Sequence, residues 1–343
     1  MNTDFIWLQS LVPDVIKTVR QRYLILVQVA NLAPVGRRTV AKKLGLSERS
    51  LRTETDYLKQ LGLLAIERRG MSLTDKGRRV LEQVRPVVEN FFKASQREHE
   101  LEAMFNIDRV FIVPGDLDRD PGTIELCANE LNAALDLLLP LGKSVITVFD
   151  GTTMANLARF LSPRLSNYRE LVFVPGRGAI GDNAELQCNT IAQVSAQSTH
   201  GRYRALYLPE SVSETAYRSL IHDEAIVSVL SDISHTDAVI HSIGRAPEMI
   251  ARRDLTPFQK SNLLAKGAVG ECFGCFFDKD GNIVEQIPSI GLQLKDLHRV
   301  PHIFTVAAGH SKAAAIKSYL SRAPRQTWLI TDEGASNQIL KEP

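Results

Sequence analysis

The chain has 343 residues, 44% apolar and 23% charged, a globular balance that excludes a disordered protein. No apolar run approaches the roughly 18 residues that a membrane helix needs, and four cysteines make no disulfide framework, so a reduced, cytoplasmic setting is expected. The net charge of +2 hides a split of +8 over residues 1–95 and −6 over 96–343, which sets the expected boundary between an anion-binding module and a second domain.

Near the N-terminus, Asp4 and the absence of a basic stretch before an apolar one predict no secretory signal. Tyr23–Ala30 reads as a buried helix, broken by Pro34 and Gly36. Arg38–Leu44 places Val40, Ala41 and Leu44 at helical spacing. Gly45 suits a tight turn, Leu46 its corner, and Ser47 an N-cap with Glu48 in the first turn. The helix Glu48–Leu61 puts Leu51, Thr55, Leu58 and Leu61 on one face and Arg49, Ser50, Arg52, Thr53 and Lys59 on the other. Two short strands follow, 64–66 and 71–73, around the basic tip Arg68-Arg69-Gly70.

That order is a winged helix-turn-helix, whose second helix enters the DNA major groove. Arg37, Arg38, Lys42 and Lys43 are candidates for phosphates, and Arg49, Arg52 and Thr53 for base edges, with Ser50, Lys59, Arg68 and Arg69 completing the surface. A small bundle with a solvated basic face is the bland alternative. Residues 74–105 read as a long helix containing Pro86, with a stripe of Leu81, Val84, Val88 and Phe91. The stripe suits either the module's own core or a dimer seam that spaces two recognition helices one DNA turn apart.

Beyond Arg109 the pattern changes. Apolar, β-branched runs recur at 109–113, 144–149, 171–175, 203–208, 237–242, 302–307 and 328–331, with helical stretches between most of them. Near-continuous apolar strands alternating with helices predict a Rossmann-like α/β domain with a parallel sheet covered on both faces. Ligands in such sheets sit beyond the C-terminal strand ends. There stand Asp150-Gly151-Thr152-Thr153 opening a helix, Gly176-Arg177-Gly178 with Gly181, Gln187-Cys188-Asn189-Thr190, Gly244-Arg245 with Arg252-Arg253, and Gly309-His310-Ser311-Lys312. Anion-binding residues after four strands predict a polyanionic small ligand, a phosphorylated sugar.

These segments carry a likeness. The G-T-T turn, V-P-G-R-G-A-I-G, Q-C-N-T, A-A-G-H-S-K-A-A-A-I and L-I-T-D-E-G-A, with G-R-R-T-V-A-K-K-L-G-L-S-E-R-S-L-R near the N-terminus, together resemble the SorC family of bacterial transcriptional regulators almost end to end. The resemblance implies an effector domain, residues 96–343, similar to sugar-phosphate isomerases and deaminases. It further implies a repressor of a glycolytic operon released from operator DNA by fructose-1,6-bisphosphate. A homo-oligomer, dimer or tetramer, and no cofactor are expected. Carried over by position, Gly151, Thr152, Thr153 and Lys312 would hold one phosphate. Arg177, Gln187, Arg252, Arg253 and Glu271 would contact the rest, with Gly178 and Thr190 beside them. The family turn reads Gly-Gly-Thr-Thr, whereas Asp150 stands first here. A carboxylate repels a phosphate unless turned away or paired, so Asp150 also points to a different effector such as a monophosphate.

Catalysis is the competing reading. Deaminase relatives carry a catalytic Asp and a Gly-His after the strand corresponding to 237–242, where this chain has Ile243-Gly244-Arg245-Ala246-Pro247 and no acid until Glu248. Proton shuttling needs such a group in reach. His241 is expected to be packed inside its strand, and His310 to serve a helix start. Cys272 and Cys275 lack the second ligand pair of a zinc site and read as strand cysteines before an Asp278–Gly281 hairpin turn; that turn lacks the spacing of a calcium loop.

Overall fold

The structure, a computed structural model, describes residues 13–210, 212–220, 222–253 and 255–341. It divides into two compact units, residues 1–96 and 97–343.

The first unit runs α1 (Pro13–Leu32), α2 (Arg37–Leu44), α3 (Glu48–Gln60), β1 (Leu64–Glu67) and β2 (Gly70–Leu73), then enters α4 (Asp75–Phe105). Gly45 ends α2 at φ 63°, a left-handed conformation that glycine adopts without steric cost. The Ser47 side chain accepts the Ser50 N–H at 3.1 Å, which starts α3. Leu51, Thr55 and Leu58 face a core that includes Ile25, Val29, Val40, Met71, Leu81 and Val88. Each such apolar side chain contributes about 1.5–3 kcal/mol by leaving water. Leu61 departs from the expected face and is 42% exposed, because α3 ends at Gln60 and the chain turns there. β1 and β2 pair antiparallel, Glu67 opposite Gly70, with Arg68 and Arg69 at the turn.

α4 runs through Pro86 without interruption. Of its apolar stripe, Leu81 and Val88 are buried in the first unit's own core and Val84 is exposed. The side chain of Phe91 lies outside the described residues.

The second unit is α/β. Seven parallel strands lie in the order β3 (Arg109–Val113), β13 (Thr327–Asp332), β12 (His302–Val306), β7 (Ala238–His241), β4 (Gly142–Val148), β5 (Arg169–Pro175) and β6 (Arg202–Tyr203). Strand order reverses between β4 and β7, which opens a crevice at their C-terminal ends. Among the helices flanking the sheet are α5 (Thr123–Leu138), α7 (Cys188–Thr199) and α13 (Glu333–Lys341). On α4, Glu98 and Glu102 accept the backbone N–H groups of Ile112 and Val110 on β3, each at 3.0 Å. Burial pushes the Glu98 carboxyl up to about 7 even though the Ile112 N–H favours its charged form.

Two features differ from the expected pattern. The run 203–208 is strand only at Tyr203. Leu206 and Leu208 are buried, but Leu206 exchanges both backbone hydrogen bonds with the Asn189 side chain, at 2.9 and 3.0 Å, instead of a neighbouring strand. Asn189 thus shapes this loop.

The second difference is an antiparallel sheet in the order β11 (Ile283–Gln286), β10 (Cys275–Phe277), β9 (Gly270–Cys272) and β8 (Gly244–Arg245). With α10 (Ala246–Ala251) and α11 (Pro257–Ala265) it encloses a small core of Met249, Ile250, Leu263 and Phe276. Cys272 and Cys275 are buried strand residues with free thiols, facing each other across the turn Phe273-Gly274.

Candidate functional site

The basic residues that the sequence offers as a recognition surface lie on α2, α3 and the β1–β2 wing. Arg37 is not available there: its Nε donates to Thr55 Oγ1 at 3.2 Å and it pairs with Asp56, bracing α2 on α3. Arg38 pairs with Glu48 at 3.0 Å, and Arg69 with Glu67 at 3.3 Å, in solvent where such pairs exchange readily. Thr53 turns its hydroxyl to the Arg49 carbonyl at 3.2 Å. Ser50 is half-buried, its N–H given to the cap. Lys42, Lys43, Arg49, Arg52, Lys59 and Arg68 are exposed and have no ion-pair partner among the described residues. Their charge is therefore open to an anionic partner such as a phosphate backbone.

In the second unit a cavity of about 320 Å³ opens where β4 meets β7. Its lining includes Asp150, Gly151, Thr152, Thr153, Arg177, Arg252, Glu271 and Lys312, so the structure brings together eight of the twelve residues expected to meet the effector. The lining is assembled from several segments. Asp150 follows β4, Arg177 follows β5, Ser242 follows β7, and Lys312 lies beyond β12 before α12 (Ala313–Leu320). The Gly151–Thr153 turn opens α6 (Thr152–Ala158), whose first N–H groups have no partner within the helix. Lys312 Nζ donates to Thr153 Oγ1 at 2.8 Å and lies 3.4 Å from Ser242 Oγ. Desolvation pulls this ammonium down to about 8.

Beneath the turn lies a buried ion network. Arg177, 3% exposed, reaches Asp150 Oδ1 through Nη2 at 2.6 Å, and Glu210 and Glu271 through Nη1 at 3.3 and 3.2 Å. Arg253, also buried, pairs with Glu210 and Glu271, each at 3.0 Å. Arg252 pairs with Asp150 Oδ2 at 2.9 Å. Burial alone would raise the carboxyls of Asp150 and Glu271. The guanidiniums of Arg177 and Arg252 override it at Asp150, and those of Arg253 and Arg177 at Glu271, so both lie below their ordinary values. Asp150 is thus paired, the arrangement that lets a carboxylate lie beside an anion site.

Four expected contact residues fall outside the lining. Arg253 is committed to the network. Gln187 staples a loop, accepting the Ile180 N–H at 2.9 Å and donating to the Ile180 carbonyl at 2.7 Å. Thr190 is half-buried away from the cavity. Gly178 serves packing, since a Cβ there would lie 2.3 Å from the Pro209 carbonyl oxygen; at Gly176 a Cβ would strike the Phe149 ring. Glu271 lines the cavity but is 1% exposed and bonded to Arg177, Arg253 and the Gly274 N–H. It reads as a counter-ion more than as a partner for sugar hydroxyls.

Sequence reading missed Glu210, which holds both buried arginines, and Ser242 beside Lys312. Ser242 directly follows a strand end, the same signal that found Thr153. His241 is a packed histidine, with Nε2 2.7 Å from Thr305 Oγ1 and 3.2 Å from Tyr319 OH, and desolvation holds it near 3. His310 sits outside the lining, where its N–H and Nδ1 meet Asp116. Asp116, Asp118 and His310 are the one cluster of metal-ligand type among the described residues. Their atoms are spent on tying two loops together, with Asp118 also accepting the Ser311 N–H at 2.7 Å.

A wing-bearing DNA module joined to a sensor-type α/β unit is the class that fold and site define, and comparison with known proteins agrees. Residues 89–341 match the model of a sugar-binding domain family, and residues 18–88 that of the CggR N-terminal DNA binding domain. The chain is 35% identical over 334 residues to the central glycolytic genes regulator of Bacillus subtilis, covering 97% of both. It resembles the structure of a SorC family transcriptional regulator from Enterococcus faecalis, with 45% identity and a TM-score of 0.68 over 71% of this chain and 99% of that one. It shares the fold of the full-length sorbitol operon regulator SorC from Klebsiella pneumoniae, at 16% identity and a TM-score of 0.60, over 92% of this chain and 97% of that one. The chain belongs to the SorC family of transcriptional regulators, in which a DNA-binding domain is joined to a sugar-binding domain. Among the described residues no helix is long and apolar enough to cross a membrane.

Proposed function

We propose that this chain is a cytoplasmic repressor of a glycolytic operon, released from its operator when a phosphorylated sugar, foremost fructose-1,6-bisphosphate, enters the cavity. The observation that carries this reading is the Lys312 ammonium on Thr153 at the mouth of the Gly151–Thr153 turn. A cation, two hydroxyls and a helix start suit a phosphate. The relative named for central glycolytic genes supports the choice of operon. The protein acts as a homo-oligomer, so that two recognition helices meet successive operator turns. The effector must favour one arrangement of that oligomer over another, since equal affinity would shift nothing.

Binding is favoured over turnover because the carboxylates and the imidazole of the cavity are already engaged. His241 is neutral in its strand, and Glu248 pairs with Arg245 at 2.9 Å.

The test is operator binding by fluorescence anisotropy, titrated with fructose-1,6-bisphosphate and with monophosphates. Release by a sugar phosphate is expected; none from any of them sinks the sensor reading, and turnover of fructose-6-phosphate or glucosamine-6-phosphate would favour an enzyme. The same assay checks the recognition surface. Lys42→Ala should weaken all sequences alike and lower the salt slope by about one, while Arg49→Ala should cost about 1–3 kcal/mol on the operator and relax its specificity. Equal loss on operator and random DNA for Arg49→Ala would move that residue to the phosphate backbone.

A further inference from the structure

The charges around the cavity sort into two groups. Asp150, Glu210 and Glu271 match Arg177, Arg252 and Arg253 one for one in a single connected network. Arg245, the remaining guanidinium of the lining, is held by Glu248. Among the described residues, Lys312 is the one cation of the lining without a carboxylate at ion-pair distance. The cavity thus offers one uncommitted positive charge, at the Thr153 end of the turn. Arg252 stands over the Gly151 end, its Nη1 3.6 Å from where a Cβ on Gly151 would be. With a side chain 22% exposed, against 3% for Arg177 and Arg253, it is the network guanidinium a ligand can reach. Asp150 already occupies its Nη2.

We infer that Asp150 sets the effector specificity of this site, by holding Arg252 so that a second phosphate on the sugar gains little. This rests on the sugar-phosphate reading above and revises its order of effectors, since a monophosphate then serves nearly as well as the bisphosphate. A second phosphate can meet Arg252 at Nη1, whose partner is the Met249 sulfur at 3.6 Å, or take Nη2 by displacing the Asp150 carboxylate. Either way the guanidinium's charge is already offset, and the carboxylate stays beside the incoming anion, since Arg177 grips it through Nη2 and Nε at 2.6 and 2.8 Å. The second phosphate therefore returns little. Asp150→Asn keeps the shape, removes the charge and leaves Arg177 with Glu210 and Glu271. Arg252 is then open to the second phosphate, a contact worth about tenfold or more in affinity.

The experiment is calorimetric titration of the full-length protein with fructose-1,6-bisphosphate and with fructose-6-phosphate, reading the ratio of the two affinities. The wild-type ratio should lie within about tenfold, and Asp150→Asn should raise it by about tenfold. An unchanged ratio in a folded Asp150→Asn protein overturns the inference and makes Asp150 a scaffold residue. If that variant does not fold, Arg252→Gln decides. A shift of the ratio below about threefold supports the inference, whereas a selective loss of the bisphosphate by tenfold or more shows that Arg252 is already available and overturns it. Wild-type protein that binds neither sugar overturns the sensor reading together with this one; wild type that binds both, with the ratio unmoved by Asp150→Asn, overturns this one alone.

Discussion

Arg177→Ala should lower the stability of the second unit by about 3–5 kcal/mol, the cost of stranding a buried counter-charge. For a unit of this size the fall in Tm is on the order of 6–20 °C. Arg177 touches Asp150, Glu210 and Glu271, and its removal leaves Arg252 and Arg253 facing all three. The pH dependence separates lost charge from lost volume. In the wild type, Asp150 and Glu271 titrate below their ordinary values. Their contribution is therefore present above about pH 4 and is lost as pH falls through the folded-state values. Without Arg177, burial dominates and their folded-state values rise, so on acidification from pH 7 toward 5 the variant should gain more stability than the wild type, the gain from Glu98 being common to both. Urea unfolding across that range measures both slopes. A variant within about 1 kcal/mol of wild type at pH 7 would show that the network is not what holds these loops.

Lys312→Ala should abolish the response to effector and spare the operator. Truncating one partner of an enclosed charge pair costs about 2–5 kcal/mol, or roughly 30-fold to several thousand-fold in effector affinity. Operator affinity without effector should stay within about twofold, because Lys312 belongs to the second unit and its bonds go to Thr153 and Ser242. A second signature comes from the ammonium's depressed value near 8. A bound phosphate favours the charged form and raises that value in the complex. Effector affinity should then be highest below pH 8, once the phosphate is dianionic above about pH 6, and should fall by up to tenfold per pH unit above it. Binding near pH 8 takes up a proton, visible as a dependence of the calorimetric heat on the buffer. A flat wild-type profile, or loss of operator binding in Lys312→Ala, would remove Lys312 from the effector site.

The fold was legible wherever a local pattern spanned an element. Gly45 and Ser47 announced the turn between the first two basic helices, and the five- and six-residue apolar runs announced six of the seven parallel strands at nearly their observed ends. The second sheet escaped notice because β8, β9 and β10 have only two or three residues, too few to show a period. The candidate site divided along another line. Residues that follow strand ends, such as Thr153 and Lys312, were found by position alone. An arginine among glycines announces an anion but not its source. For Arg177 and Arg253 the anions are carboxylates of the same chain, with Glu271 94 positions from Arg177 and Glu210 43 positions from Arg253. Such pairings exist only in three dimensions. Leu206 misled for a related reason, since burial made it look like strand while the Asn189 amide took the ladder's place.

The two glutamates of α4 on β3 have a consequence for solubility. β3 closes one end of the seven-stranded sheet, and its outward N–H groups at Val110 and Ile112 are those taken by Glu102 and Glu98. At the opposite end β6 offers only two residues. One border is sealed by carboxylates and the other is cut short, so neither presents a row of unpaired amides on which a further strand could zip. Because the Glu98 carboxyl titrates near 7, mild acidification weakens that seal at the residue where it is most deeply buried.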